Sequence, residues 1–165
     1  MKIVVLMLSL LATSSAHAIS LAGQEVPPYP KGFDSRMGSC LTVNAEQCAF
    51  AISVLENARG VAVGVLAKRL VRYKGNEAIW RVVDQVESPP MADTHDWAME
   101  ECRRDGRVDP TIVAIVTTGP GREEAAAAEQ GEEVLATVWA MRFDIKAGRL
   151  RPLDPASVKC ILPGT

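Results

Sequence analysis

The chain has few of the side chains on which most catalytic and metal sites depend. It contains two histidines among 165 residues, 5% aromatic residues, and neither a C-x-x-C pair nor a G-x-S-x-G sequence. His17 lies in an N-terminal segment with the pattern of a signal peptide, so His95 is the one imidazole left for the folded protein. A histidine-based triad or a tetrahedral zinc site needs several such groups close together. We therefore predict no catalytic residue, no metal and no cofactor.

The chain also lacks an excess of basic charge. Its 18 lysines and arginines face 20 aspartates and glutamates, for a formal net charge of −2. Nucleic acids and anionic membranes select proteins that concentrate basic residues on one surface. Neither is therefore expected as a partner.

Residues 1–18 have the pattern of a cleavable secretory signal. Lys2 gives a positive start, residues 3–12 are apolar, and Ala16-His17-Ala18 is a small-residue cleavage site. The apolar run is shorter than the about 20 residues that a transmembrane helix needs, and no later segment is long and uncharged enough. We predict cleavage after Ala18, export to the periplasm or the medium, and a single folded domain.

Four cysteines follow the predicted cleavage site: Cys40, Cys48, Cys102 and Cys160. An even number of cysteines in an exported chain indicates disulfides. Of the three possible connectivities we favour Cys40–Cys48, which closes a local loop, and Cys102–Cys160, which joins the C-terminal segment to the middle of the chain.

Proline and glycine are frequent in residues 19–43, which predicts an extended surface arm, followed by the domain proper in residues 44–165. A helix is predicted over residues 44–74, bent or broken near Gly60. Asn44 can cap it, and apolar residues recur every three or four positions or multiples of that spacing. Residues 61–65, VAVGV, would also suit a strand.

The C-terminal half predicts an antiparallel sheet of about five strands. Alternating or continuous apolar residues favour strands near residues 80–86, 111–118, 135–145 and 149–153. Residues 91–104 are compatible with a strand or a helix, and residues 122–133 with a short exposed helix or a loop. The predicted fold class is therefore α+β, with an N-terminal helix or bent helix pair packed on the sheet and stapled by disulfides.

A charged turn is the best candidate for recognition. Asp105-Gly106 between two strand-like flanks predicts a two-residue hairpin turn, because both positions tolerate positive φ. The candidate binding residues are Arg103, Arg104, Asp105, Arg107 and Asp109. Their guanidinium groups can grip a carboxylate or an acidic partner. The alternative is that internal ion pairs, such as Arg104 with Asp109, only stiffen the turn.

The C-terminal half resembles a loose group of small exported bacterial proteins. The resemblance rests on the pattern C-R-x-D-G-R-x-D, here residues 102–109, and on a closing cysteine, Cys160. It implies the same hairpin and the Cys102–Cys160 bond, but no particular activity.

We accordingly expect a non-enzymatic periplasmic or secreted protein that binds another protein or an envelope component, in the manner of an inhibitor, an immunity protein or an envelope accessory factor. The alternative is a small cell-envelope hydrolase with paired carboxylates. The acids considered for it are Asp84, Glu87, Asp93, Asp96, Glu100 and Glu101, whose spacing singles out no pair.

Overall fold

Two antiparallel β-sheets account for most of residues 19–118 and 134–161, the part of the chain that this computed structural model describes. The predicted signal segment, residues 1–18, and the segment 122–133 lie outside the described residues. The one helix in the described part is a 3-10 turn, Pro155–Ser157. No helix in the described part is long and apolar enough to cross a bilayer.

The first sheet is built from the N-terminal half, in the spatial order β1-β5-β4-β3-β2. Its strands are β1 (Glu25–Val26), β2 (Phe33–Val43), β3 (Glu46–Asn57), β4 (Ala62–Lys74) and β5 (Glu77–Glu87). From β2 to β5 each strand pairs with the next along the chain, so this part of the sheet is a simple meander.

The second sheet follows the order β6-β9-β10-β12-β7-β8, with β11 paired to β10 beside this path. Its strands are β6 (His95–Met99), β7 (Cys102–Arg104), β8 (Arg107–Val108), β9 (Ile112–Thr117), β10 (Val134–Asp144), β11 (Arg149–Pro152) and β12 (Val158–Ile161). Only Glu100 and Glu101 separate β6 from β7, although these strands pair with β9 and β12 respectively. The sheet therefore curls back on itself around its own buried cluster, which includes Ile112, Ala114 and Val116.

The two sheets pack face to face across a second buried cluster. Ile52 and Val65 of the first sheet meet Met141 and Phe143 of the second. The rings of Phe50 and Phe143 lie edge to face with centroids 5.7 Å apart. A polar contact also joins the sheets, because the Leu150 backbone N–H donates to a carboxylate oxygen of Asp84 at 2.7 Å.

The predicted N-terminal helix over residues 44–74 is wrong, and so is the α+β class. These residues form β3 and β4, and Asn44 is not a helix cap. Asn44 and Ala45 have φ values of 51° and 65° and form the two-residue turn between β2 and β3. Gly60, where a helix bend was predicted, lies in the next hairpin turn at φ 72°.

The helix prediction failed because β3 and β4 are buried on both faces. Ile52 faces the second sheet, whereas Leu55 and Leu66 face a third cluster on the opposite, outer face. A strand covered on both sides reads as a continuous apolar run, in which three- and four-residue spacings occur by chance. The β-branched residues of the run, including Ile52, Val54 and Val65, fit strands better than helices.

Residues 19–43, predicted to be an extended arm, are integrated into the first sheet. β2 forms one edge of the sheet, and β1 pairs with β5 at the other. Residues 19–32, which we call the strap, cross the outer face of the sheet. Leu21 and Val26 of the strap are fully buried there with Leu55, Leu66 and Val82.

The other predictions for the C-terminal half agree better with the structure. Strands are present near all four predicted positions, as β5, β9, β10 and β11. Residues 91–104 contain β6 and β7 and no helix. Both predicted disulfides, Cys40–Cys48 and Cys102–Cys160, are formed.

Candidate binding site at the charged hairpin

The predicted hairpin is present at residues 102–109. Asp105 and Gly106 have φ values of 52° and 75°, as a type I′ turn requires. Around them Arg104 pairs with Arg107, and Arg103 pairs with Val108. The twist of this turn matches that of the flanking strands, so the local sequence is sufficient to specify it.

The base of the hairpin is fixed to the core. Cys102 lies directly opposite Cys160 on β12, with their Cα atoms 4.0 Å apart, and neither residue is exposed to solvent. The Asp109 N–H donates to the carbonyl oxygen of Cys102 at 2.9 Å, which closes the other end of the hairpin. The charged tip is therefore held on a rigid support.

A cleft of about 520 Å³ lies beside the hairpin tip. It is lined by Arg104, Asp105, Arg107, Val108, Asp109, Pro110 and Arg142. Four of the five predicted binding residues are in this set. Arg103 is not, because successive side chains of a strand point to opposite sides and Arg103 alternates with Arg104.

Arg142 was not predicted to belong to this site, and it forms an ion pair with Asp109. An Asp109 carboxylate oxygen lies 3.1 Å from Nε of Arg142, and the other accepts from the Thr111 N–H at 3.0 Å and from the Thr111 hydroxyl. The suggested internal pair of Arg104 with Asp109 is therefore wrong: Asp109 is engaged by β10 and by the following turn.

The arginines at the tip are less fully paired. Arg104 Nε lies 3.9 Å from a carboxylate oxygen of Asp105, and among residues 19–118 and 134–161 it has no hydrogen-bond partner, although the atom itself is shielded from solvent. The Asp105 side chain is 89% exposed, so this weak pair is highly solvated. Arg107 is exposed at the tip. The cleft thus offers guanidinium N–H groups that internal carboxylates do not satisfy.

The basic surface continues from the cleft along β10 and β11. Arg151 lies directly opposite Arg142 in the register of these strands. Arg151 is paired with Asp144 at 3.2 Å. The backbone N–H of Ala147 and the Arg151 guanidinium lower the pKa of the Asp144 carboxyl, so Asp144 stays ionised and holds Arg151 in place.

A second cleft, of about 410 Å³, lies at the end of the first sheet. Among the residues that line it are two carboxylates, Asp34 on β2 and Glu56 on β3, which are direct cross-strand partners. Arg59 also lines it. Sequence reasoning missed this pair because it had assigned the two residues to an arm and a helix.

The acids that the sequence had suggested for hydrolysis line neither cleft. Asp84 accepts from the Leu150 and Gln85 N–H groups, and Asp96 accepts from the Trp97 N–H at 2.8 Å. His95 accepts at Nδ1 from the Ala92 N–H at 3.2 Å, as a turn residue does. In residues 19–118 and 134–161 no three histidine, cysteine, aspartate or glutamate side chains are grouped so as to hold a metal ion.

Comparison of the chain with protein-family models, with curated proteins and with solved structures finds no match. The resemblance of residues 102–109 and Cys160 to a group of exported bacterial proteins therefore stays a prediction.

Proposed function

We propose that this protein is a non-enzymatic, exported binding module that recognises an acidic macromolecule through the cleft beside the charged hairpin. The observation that carries the proposal is the convergence of Arg104 and Arg107 of the hairpin with Arg142 of β10 on one cleft. Guanidinium groups donate in a planar fork that matches a carboxylate, so such a cleft favours aspartate and glutamate side chains.

The support of the hairpin favours recognition over a purely structural role. Binding by side chains that are already held in place avoids part of the entropy lost on association. Here the Cys102–Cys160 disulfide and the Asp109 contacts hold the backbone that carries the arginines. Both disulfides are consistent with an oxidising compartment, and we propose the periplasm or the medium, reached through cleavage after Ala18. An inhibitor, an immunity protein or an envelope accessory factor would use such a surface.

The test is affinity capture from envelope extracts followed by a titration of the captured partner. The chain from residue 19 onward is compared with a double charge-reversal variant, Arg104→Glu with Arg107→Glu. A matched control reverses two exposed lysines of the strap and the first sheet, Lys31→Glu with Lys74→Glu. We expect an acidic partner whose affinity falls at least tenfold in the arginine variant, weakens with salt, and is kept in the control. Equal binding by the arginine variant would refute the proposal.

The second candidate function is a hydrolase, and the carboxylate pair of the second cleft favours it. Directly opposite residues on antiparallel strands have Cβ atoms about 5 Å apart. Retaining glycosidases place their two carboxyl groups at a similar separation, about 5 Å. Asp34 and Glu56 are so paired, and both line the cleft.

Hydrolysis is tested by incubating the protein with purified cell-wall glycan and following the release of reducing ends. The Asp34→Asn and Glu56→Gln variants should each abolish release, while Asp93→Asn, an exposed acid outside the cleft, should not. If the unsubstituted protein releases no reducing ends, the hydrolase candidate is eliminated and the binding function stands alone.

A further inference from the structure

The structure buries one lysine, Lys68, far from the charged hairpin. Lys68 lies on β4, where Ala51 of β3 and Val82 of β5 are its cross-strand partners, and only 6% of the residue is exposed. Its side chain points to the outer face of the first sheet, beneath the strap. A buried ammonium normally needs an opposite charge beside it.

Lys68 has polar and aromatic neighbours but no carboxylate partner. Its Nζ donates to the Tyr29 hydroxyl oxygen at 3.4 Å and lies 5.6 Å from the centre of the Trp80 ring. The ion pairs found within residues 19–118 and 134–161 do not include it. Desolvation lowers the pKa of Lys68 to about 8, so most of the side chain is still charged at neutral pH.

Two serine hydroxyls complete the surroundings of Tyr29. Ser53 of β3 is 1% exposed and Ser35 of β2 is half-buried, and neither Oγ has a hydrogen-bond partner. Burial raises the pKa of the Tyr29 phenol, and contacts of the Ser35 and Ser53 hydroxyls with the Tyr29 oxygen, too poorly aligned to count as full hydrogen bonds, partly offset that rise. Asp34 is the nearby carboxylate that acts on Tyr29, and it accepts from the Ser35 N–H at 2.7 Å.

We propose that the Lys68 ammonium and the hydroxyls of Tyr29, Ser35 and Ser53 form a binding site for a small monovalent anion such as chloride. All four groups can donate a hydrogen bond, and together they present one positive charge and an excess of donors. A water molecule would satisfy hydroxyl groups but would leave the buried ammonium without a counter-charge. An anion satisfies both requirements.

The proposed site joins four consecutive segments of the first sheet. Tyr29 belongs to the strap, Ser35 to β2, Ser53 to β3 and Lys68 to β4. An anion bound among them links the strap to β2, β3 and β4, in addition to the apolar contacts of Leu21 and Val26 and the ion pair of Glu25 with Arg72. Occupancy of the site should therefore stabilise the fold and protect the strap, whether or not the hairpin binds a partner.

The test measures thermal unfolding of the full folded chain in sodium chloride and in sodium gluconate at equal ionic strength and pH 6.5. Gluconate, a much larger and more weakly accepting anion than a small halide, serves as the reference. We expect the Tm to be about 2–4 °C higher in chloride than in gluconate. For a chain of this size, such a rise corresponds to a chloride concentration well above the dissociation constant of the site. At pH 9.5, where Lys68 is mostly neutral, the rise should disappear.

Two variants separate a specific site from a general salt effect. Lys68→Met removes the charge and should abolish the difference between chloride and gluconate, whereas Lys74→Met, at an exposed lysine of the same strand, should keep it. Ser53→Ala should lower the chloride affinity several-fold. Anomalous scattering from bromide-soaked crystals gives the position directly. Equal Tm values in the two salts, or a chloride effect that persists in Lys68→Met, would overturn the proposal.

Discussion

Replacing Lys68 with methionine should stabilise this protein, contrary to the usual effect of a substitution in the interior. The folded state holds the pKa of Lys68 at about 8, against an ordinary value of 10.5. That difference corresponds to about 3 kcal/mol of lost stability once the pH is below 8. Methionine keeps most of the apolar volume. It forfeits the hydrogen bond of the charged lysine to Tyr29 and the cation–π contact with Trp80, together about 2 kcal/mol. The net gain at pH 7 is about 1 kcal/mol in the free energy of unfolding.

The pH dependence fixes the sign of this effect. Above pH 10.5 the amine is neutral in both the folded and the unfolded chain, so it does not influence folding. As the pH falls from 10.5 to 8, the unfolded chain takes up a proton that the folded chain does not, and stability decreases. Below pH 8 the full loss is present and no longer changes. In Lys68→Met this slope should be absent.

Urea unfolding in sodium gluconate, between pH 6.5 and 9.5, measures the stability gained by Lys68→Met and its dependence on pH without supplying chloride. All four cysteines are disulfide-bonded, so thiol exchange does not interfere at the alkaline end. The matched control is Lys74→Met, whose lysine is exposed. The reasoning is refuted if Lys68→Met is less stable than the unsubstituted protein at pH 7 and keeps the rise in stability from pH 8 to 9.5.

Three further predictions follow from other contacts. Replacing both Cys102 and Cys160 with alanine should lower the free energy of unfolding by about 4 kcal/mol, because a disulfide that spans 58 residues strongly restricts the unfolded chain. Replacing both Cys40 and Cys48, which are 8 residues apart, should lower it by about 2.5 kcal/mol. The urea midpoints of the two double variants test this difference. Gly38→Ala should destabilise by about 2 kcal/mol, since its Cβ would lie 2.8 Å from the Ile52 carbonyl oxygen and 2.9 Å from the Ser53 Cβ, and an unchanged urea midpoint would contradict this. Hydrogen bonds from Arg72 and Arg81 lower the pKa of Glu25, so the contribution of Glu25 to strap docking is present above pH 4.5 and is lost as the pH falls through the lowered pKa. Glu25→Gln should therefore speed tryptic cleavage after Lys31 at neutral pH. An unchanged cleavage rate would count against a stabilising role of the two ion pairs.

Short-range features of this protein were predictable from the sequence because their causes are local. Asp105-Gly106 specifies a turn with two positive φ values wherever strands flank it. The alternation of apolar and polar residues around Trp139 and Phe143 predicted β10. This strand pairs with β9 on one side and with β11 and β12 on the other. The expectation of two disulfides followed from the even number of cysteines and the predicted secretory signal. The density of charge in the sequence also singled out five residues of the hairpin, four of which line one cleft, and their role in binding stays a prediction.

Tertiary structure decided the features that depend on which surfaces are covered. Whether residues 44–74 are helix or strand depends on burial of both faces, which comes from the second sheet on one side and the strap on the other. Arg142 joins the hairpin cleft only because β9 and β10 pair in a particular register. Asp34 meets Glu56 through the register of β2 and β3, and Lys68 of β4 meets Tyr29 where the strap crosses the sheet.

The amino-acid sequence by itself thus determined the Asp105-Gly106 turn, the expectation of two disulfides and the local charge of this protein, because each depends on neighbouring residues or on composition. The fold class, the partners of each charged side chain and the burial of Lys68 were decided by long-range strand pairing. Periodicity cannot reveal that pairing when a strand is apolar on both faces.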